Sequence, residues 1–172
     1  MVRRDKVRGH NDATYDIIPK QDQLYNIEFL EIAPTPIIAD RVFFAYLRGD
    51  LPESNNKLAL YDKGLVNATL TVSASVVYPD DRYEDPRSLT IPLITMPAND
   101  LCHLVVRDAT GAQTDYLPRS GRGEILLDFQ FPTMFLRSGM WTFKVDARAG
   151  DEDNTCLFAM SLTQWLEGGL RD

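Results

Sequence analysis

From residue 65 to residue 78 the chain changes character at every step. Val66, Ala68, Leu70, Val72, Ala74, Val76 and Tyr78 share one parity, while Asn67, Thr69, Thr71, Ser73 and Ser75 share the other. A pleated backbone sends successive side chains to opposite faces, so this stretch reads as a long strand with one buried face. The same period of two recurs over residues 124–131, where Ile125, Leu127, Phe129 and Phe131 oppose Leu126, Asp128 and Gln130. It returns over residues 140–148 with Trp141, Phe143, Val145 and Ala147, and over residues 155–165 with Cys156, Phe158, Met160 and Leu162. Weaker strand candidates cover residues 24–32, 41–48, 87–95 and 101–107. No segment of twelve or more residues carries a helical period.

Turn chemistry separates these runs. Pro34 and Pro36 punctuate the first connection, Ser138-Gly139 precedes the strand near Met140, and residues 150–154 form a polar hairpin loop. Seven to eight strands at this spacing predict an all-β fold, an antiparallel β-sandwich or barrel. The expected organisation is a flexible leader over residues 1–20, one domain over residues 21–167 and a short tail over residues 168–172. Residues 49–64 read as a long loop or a helical turn.

Composition narrows the function. The chain has 172 residues, and hydrophobic types make up 44%, enough apolar material to exclude disorder throughout. No run approaches the length of a membrane-spanning helix, and no secretory signal is readable. Net charge is −7, with Arg3, Arg4, Lys6 and Arg8 concentrated at the start. An acidic body repels a phosphate backbone, so nucleic acid is not expected as a partner.

Motifs for chemistry are scarce. His10 lies in the expected leader, and His103 follows Cys102 on a strand, where adjacent side chains point apart and form no nucleophilic dyad. No zinc-ligand spacing, phosphate-binding loop or EF-hand loop occurs, so no metal or cofactor is expected. The acidic runs at residues 80–85 and 151–153 read as solvated loops. Asn67-Ala68-Thr69 is a glycosylation sequon on the polar face of its strand. The aromatic and aliphatic side chains of the inward faces would meet between the sheets. They make either a packed core or the wall of an apolar cavity, and periodicity leaves both open.

The order of landmarks resembles the ML lipid-recognition family, which includes the Niemann–Pick type C cholesterol carrier and fungal phosphatidylglycerol/phosphatidylinositol transfer proteins. Residues 25–36, Tyr-Asn-Ile-Glu-Phe-Leu-Glu-Ile-Ala-Pro-Thr-Pro, look like that family's first strand running into a Pro-x-Pro bend. Asp100-Leu101-Cys102, Gly123-Glu124-Ile125, Ser138-Gly139-Met140-Trp141-Thr142-Phe143 and Asp153-Asn154-Thr155-Cys156-Leu157 resemble its later landmarks in order. The family's Cys pairs are not preserved, because the positions expected for the mates of Cys102 and Cys156 hold other residues. Two free thiols are therefore expected, with Cys156 buried among Phe158 and Met160.

The resemblance implies an immunoglobulin-like sandwich whose sheets part to admit a lipid, sterol or other hydrophobic small molecule. The residues expected to line that space are Val72, Ala74, Val76, Tyr78, Phe129, Phe131, Trp141, Phe143, Val145, Phe158, Met160 and Leu162. Met96, Phe135 and Leu136 would form its mouth, and Phe135 and Leu136 would make transient contact with a membrane or a partner. An enzyme reading, a cyclase or isomerase of a terpenoid or polyketide, would use inward-facing Tyr78, Tyr46 and Gln164. A third reading is a secreted recognition or effector protein without a transferred ligand. Family resemblance implies a secreted, vacuolar or lysosomal location, and the missing Cys partners and missing signal imply a cytoplasmic one.

Overall fold

A computed structural model describes residues 5–15, 17–53, 64–96, 102–130, 136–149 and 155–169, with only the backbone at residue 102. Its strands are β1 (Asp5–Lys6), β2 (Gly9–His10), β3 (Thr14–Tyr15), β4 (Asn26–Ala33), β5 (Phe43–Leu51), β6 (Thr69–Val77), β7 (Tyr83–Pro92), β8 (Cys102–Arg107), β9 (Gln113–Thr114), β10 (Gly121–Phe129), β11 (Gly139–Ala149) and β12 (Thr155–Leu166). The first sheet runs β1-β3-β12-β11-β6-β7 and the second β2-β4-β5-β10-β8-β9. All pairings are antiparallel except that of β2 with β4. The chain is a two-sheet β-sandwich, with twelve strands among the described residues rather than seven to eight. The eight long strands are those the alternation predicts. The four extra ones have two residues each, too short to carry a period.

Alternation is realised in burial. Val76 is 2% exposed and the next residue, Val77, is 47% exposed. Apolar parity therefore decides which face of β6 meets the second sheet, as a one-residue slip would expose the whole set.

Residues 5–15, expected as part of a flexible leader, are docked on both sheets. β3 extends the first sheet beside β12, and β2 extends the second beside β4. Val7 and Ala13 are buried, and Asn11 is buried with them. The Asn11 amide donates to Leu30 O at 2.9 Å and to Val7 O at 3.3 Å, and its oxygen accepts from the Ala13 N–H at 2.9 Å. One satisfied side chain thus compensates several backbone groups in a segment too short for a regular ladder. Gly9 has φ +119°, and a Cβ there would lie 2.0 Å from Leu30 O, so the close approach of β2 to β4 requires glycine. The fold also passes the expected boundary at residue 167, since the Gly168 N–H donates to Ser138 Oγ at 2.8 Å.

Tyr25 ties the sheets together. Its backbone N–H donates to Leu157 O at 2.8 Å, and its hydroxyl donates to Gly123 O at 2.7 Å. Its ring centroid lies 5.6 Å from that of Phe158. The slot exists because residue 49 is glycine, where a Cβ would stand 2.5 Å from the Tyr25 ring. Burial pushes the phenol far above its ordinary range, and the carboxylates of Glu28, Glu124 and Asp50 add to the shift.

Cys156 departs from expectation. The β11–β12 register shifts so that Ala147 faces Phe158 while Arg148 faces Cys156, leaving Leu157 as an extra residue. That bulge reverses the parity of the strand. Cys156 consequently lies on the outer face with Arg148, half-buried, and not with Phe158 and Met160. Its thiol is free, and burial, then Asp146, push it up against the opposing pull of Arg148.

Candidate functional site

The interior is divided. One cluster contains Leu70, Leu104, Val106, Ile125, Ala147, Phe158 and Met160, and its tightest members have no exposed surface. A second, smaller cluster holds Ile37, Phe43, Phe143, Leu162 and Leu166 near the opposite end of the strands. Between them lies a band that closes less completely. On β6 burial relaxes from Leu70 to half-buried Val72 and Ala74 and returns at Val76. On β10 it relaxes from buried Ile125 to half-buried Leu127 and Phe129, and Val145 of β11 is half-buried as well.

The band opens sideways at β7. Register pairs Val72 with Leu89, Ala74 with Arg87 and Val76 with Glu84, so Glu84, Arg87 and Leu89 share the inward parity of β6. Leu89 is nevertheless 65% exposed, and all of β7 except Ile91 is exposed. An edge strand of a sandwich normally covers its apolar parity with the facing sheet. Here the facing edge, β9, has two residues against ten in β7. Among the described residues, cover is found at the end of β7, where the chain crosses over: Leu93 N–H donates to Ala68 O, Thr95 N–H to Asp115 O and Met96 N–H to Leu104 O.

Polar groups rim this flank. A register shift between Ala74 and Val76 bulges β7 at Asp85-Pro86, and a shallow depression lined by Tyr83, Glu84, Asp85, Pro86 and Arg87 forms there. Tyr78 is half-buried beside it. Burial and a hydrogen bond to Glu84 push its phenol up, and the guanidiniums of Arg137 and Arg87 pull it down. A second depression lies on the outer face of the first sheet, lined by Ile17, Thr69, Thr71, Ser73, Lys144, Asp146 and Arg148. Neither depression runs between the sheets.

The expected lining residues divide in the same way. Phe143, Phe158, Met160 and Leu162 are packed into the two clusters, and Val76 is buried as well. Val72, Ala74, Phe129, Trp141 and Val145 face inward and stay half-buried, and so do Met96 and Leu136 among the mouth residues. Trp141 stacks on Phe143 at 6.2 Å between centroids and donates its indole N–H to Arg137 O at 3.1 Å. Phe131 and Phe135 lie outside the described residues.

Tyr46 does not face inward. Phe43, Leu47, Gly49 and Leu51 take the buried parity of β5, which turns Tyr46 to the outer face beside Glu124 and Arg48. That removes it from the enzyme reading. On the same face Glu28 meets Arg122 at 2.9 Å and Arg48 at 3.4 Å, and His103 Nδ1 stands 3.7 Å from Asp128 Oδ2. Gln164 does face inward, but its amide is spent on the backbone of Ile37 and Trp165. Asn67 is exposed in the turn before β6 rather than on the strand itself. Among the described residues, no three His, Cys, Asp or Glu side chains gather closely enough to hold a metal ion.

Leu89, Arg87 and Glu84 are absent from the sequence-based site. The signal was present in the parity of Arg87, Leu89 and Ile91, but apolar parity on an edge strand does not tell whether anything covers it. No protein-family model matches the chain, and no curated protein matches it in sequence.

Proposed function

We propose that this protein binds an apolar or amphipathic small molecule, of lipid or sterol type, in the half-open flank beneath β7. The observation that carries the reading is Leu89, an apolar side chain of inward parity left 65% exposed beside half-buried Val72 and Ala74. Covering such surface is favourable at about 0.8 kcal/mol per buried CH₂, so a hydrocarbon chain gains affinity there without any catalytic group. Tyr78, Glu84 and Arg87 stand at the rim, where a polar head would remain in contact with water. The resemblance to the ML lipid-recognition family agrees with this reading.

The test is native mass spectrometry after incubation with lysophosphatidylcholine and with a sterol, in the absence of vesicles. A one-to-one adduct is expected with at least one of them. Ala74→Phe fills the band from β6 and should abolish the adduct while leaving the unfolding transition in place. No adduct with either ligand, or an adduct unchanged in Ala74→Phe, refutes the proposal.

A further inference from the structure

Seven of the ten exposed large apolar side chains among the described residues sit at one end of the sandwich. Four of them form a row. Tyr83 pairs with Val77, Val77 with Met140, and Met140 with Trp165, so the row crosses β7, β6, β11 and β12 on the outer face of the first sheet. They are 74%, 47%, 45% and 43% exposed. Three strand spacings make the row about 14 Å long. At the same end Phe44, 53% exposed, stands on the outer face of the second sheet, where it pairs with Ala33 and Asp128. Ile38 and Val42 are exposed on the 34–42 connection between β4 and β5, which the Gln164 amide fastens to β12 through Ile37.

We infer that this end of the sandwich docks on an electrically neutral phospholipid surface, with the row and Phe44 seated in the interfacial layer. Three features select this occupant. The apolar groups lie on both outer faces and on the 34–42 connection that Gln164 fastens to β12, so a flat rigid partner reaches only one side, whereas a fluid layer surrounds the whole end. A row of four side chains is also far smaller than the roughly 800 Å² per partner that a stable dimer buries. Charge then decides the kind of lipid. Arg41, Arg82 and Arg137 are outnumbered by Asp40, Asp80, Asp81, Asp128 and Glu167 at this end, in a chain of net charge −7. An anionic surface is repelled, and a zwitterionic one is not. Trp and Tyr supply the amphipathic rings that favour the headgroup layer. The inference stands on these residues and does not need the flank to hold a ligand.

The experiment is co-sedimentation of the full chain with phosphatidylcholine vesicles, read together with tryptophan emission. Association is expected, with a blue shift, and it should persist from about 0.1 to about 1 M salt because insertion is not screened. Trp165→Phe should remove most of the shift while vesicles still bind. Met140→Ser combined with Trp165→Ser should weaken association about tenfold or more, with the unfolding midpoint unchanged, since both side chains are exposed. Failure to sediment with phosphatidylcholine overturns the inference. So does association that needs phosphatidylserine and vanishes in salt. Ligand uptake measured without vesicles separates the two proposals: vesicle binding with no adduct sinks the ligand reading alone, and an adduct with no vesicle binding sinks the docking alone.

Discussion

Replacing Gln164 with leucine tests the joint that holds this end of the sandwich. Gln164 is 8% exposed; its Oε1 accepts from the Ile37 N–H at 2.9 Å, and its Nε2 donates to Ile37 O at 2.8 Å and to Trp165 O at 3.2 Å. Leucine keeps the volume and removes both polar partners of Ile37. Leaving a buried backbone group unpaired costs about 1–3 kcal/mol, so two such groups, offset in part by the more apolar side chain, give a net loss of about 3 kcal/mol. For a domain of this size that corresponds to a fall of about 6–12 °C in Tm. Urea denaturation should show a lower midpoint at unchanged slope, and the Ile37 amide should exchange roughly a hundredfold faster, as about 1.4 kcal/mol is tenfold. Gln164→Glu sharpens the test. A carboxyl must keep its proton to donate to Ile37 O, which raises its folded pKa above the ordinary value near 4.3. That variant should therefore be most stable in acid and lose stability as pH rises past the ordinary glutamate range. A loss below about 1 kcal/mol for Gln164→Leu, or an Ile37 amide that stays protected, refutes the joint.

The tyrosines set the alkaline limit. Tyr25, Tyr15, Tyr46 and Tyr78 are all pushed up, Tyr25 furthest, so the unfolded chain releases phenolic protons before the folded one does. Stability should hold through neutral pH and fall once pH passes about 10, and Tyr25→Phe should flatten that fall, at about 1–3 kcal/mol lower stability at pH 7 from the unpaired Gly123 carbonyl; an equal slope in wild type and variant contradicts the assignment. Asn11→Ala removes the bonds to Leu30 O and the Ala13 N–H, and should speed tryptic cleavage after Arg8 with the main unfolding transition retained; unchanged cleavage means that residues 5–15 are not held by that amide. Cys156, half-buried with its thiol pushed up, should react with a disulfide reagent at pH 7.5 more slowly than in urea, and equal rates would place it in solvent.

The long strands were legible because both sheets bury one parity, and parity survives in a single sequence. Val76 against Val77 shows how sharply it is obeyed. What parity missed are places where a local event overrides it. The bulge at Leu157 turned Cys156 outward, and nothing in the run Thr-Cys-Leu-Phe-Ala-Met announces an extra residue. Tyr46 lies on the outer parity of its strand because Phe43 and Leu47 hold the buried one. The two-residue strands of residues 5–15 carry no period, yet Val7, Ala13 and Tyr15 supply apolar groups and Asn11 the hydrogen bonds that fix them. Of the expected lining, Phe158, Met160 and Leu162 proved to be core, because alternation reports which side a residue faces and not how closely the opposite sheet approaches.

The opening of the flank follows from unequal edges. A ten-residue β7 opposes a two-residue β9, so among the described residues the second sheet runs out before the first does and leaves Leu89 65% exposed on the inward parity of β7. Such an edge normally invites another strand to pair with it. β7 carries the usual deterrents in its own sequence: Pro86 within the bulge, Glu84, Asp85 and Arg87 around it, and Pro92 at its end. Strand addition is thus discouraged along the backbone, while Leu89 stays accessible beside half-buried Val72 and Ala74. A surface closed to β-pairing and open to apolar contact favours an occupant that brings hydrocarbon rather than peptide groups. That distinction between the backbone and the side chains of one strand is the physical ground for preferring a small apolar ligand over a peptide at this flank.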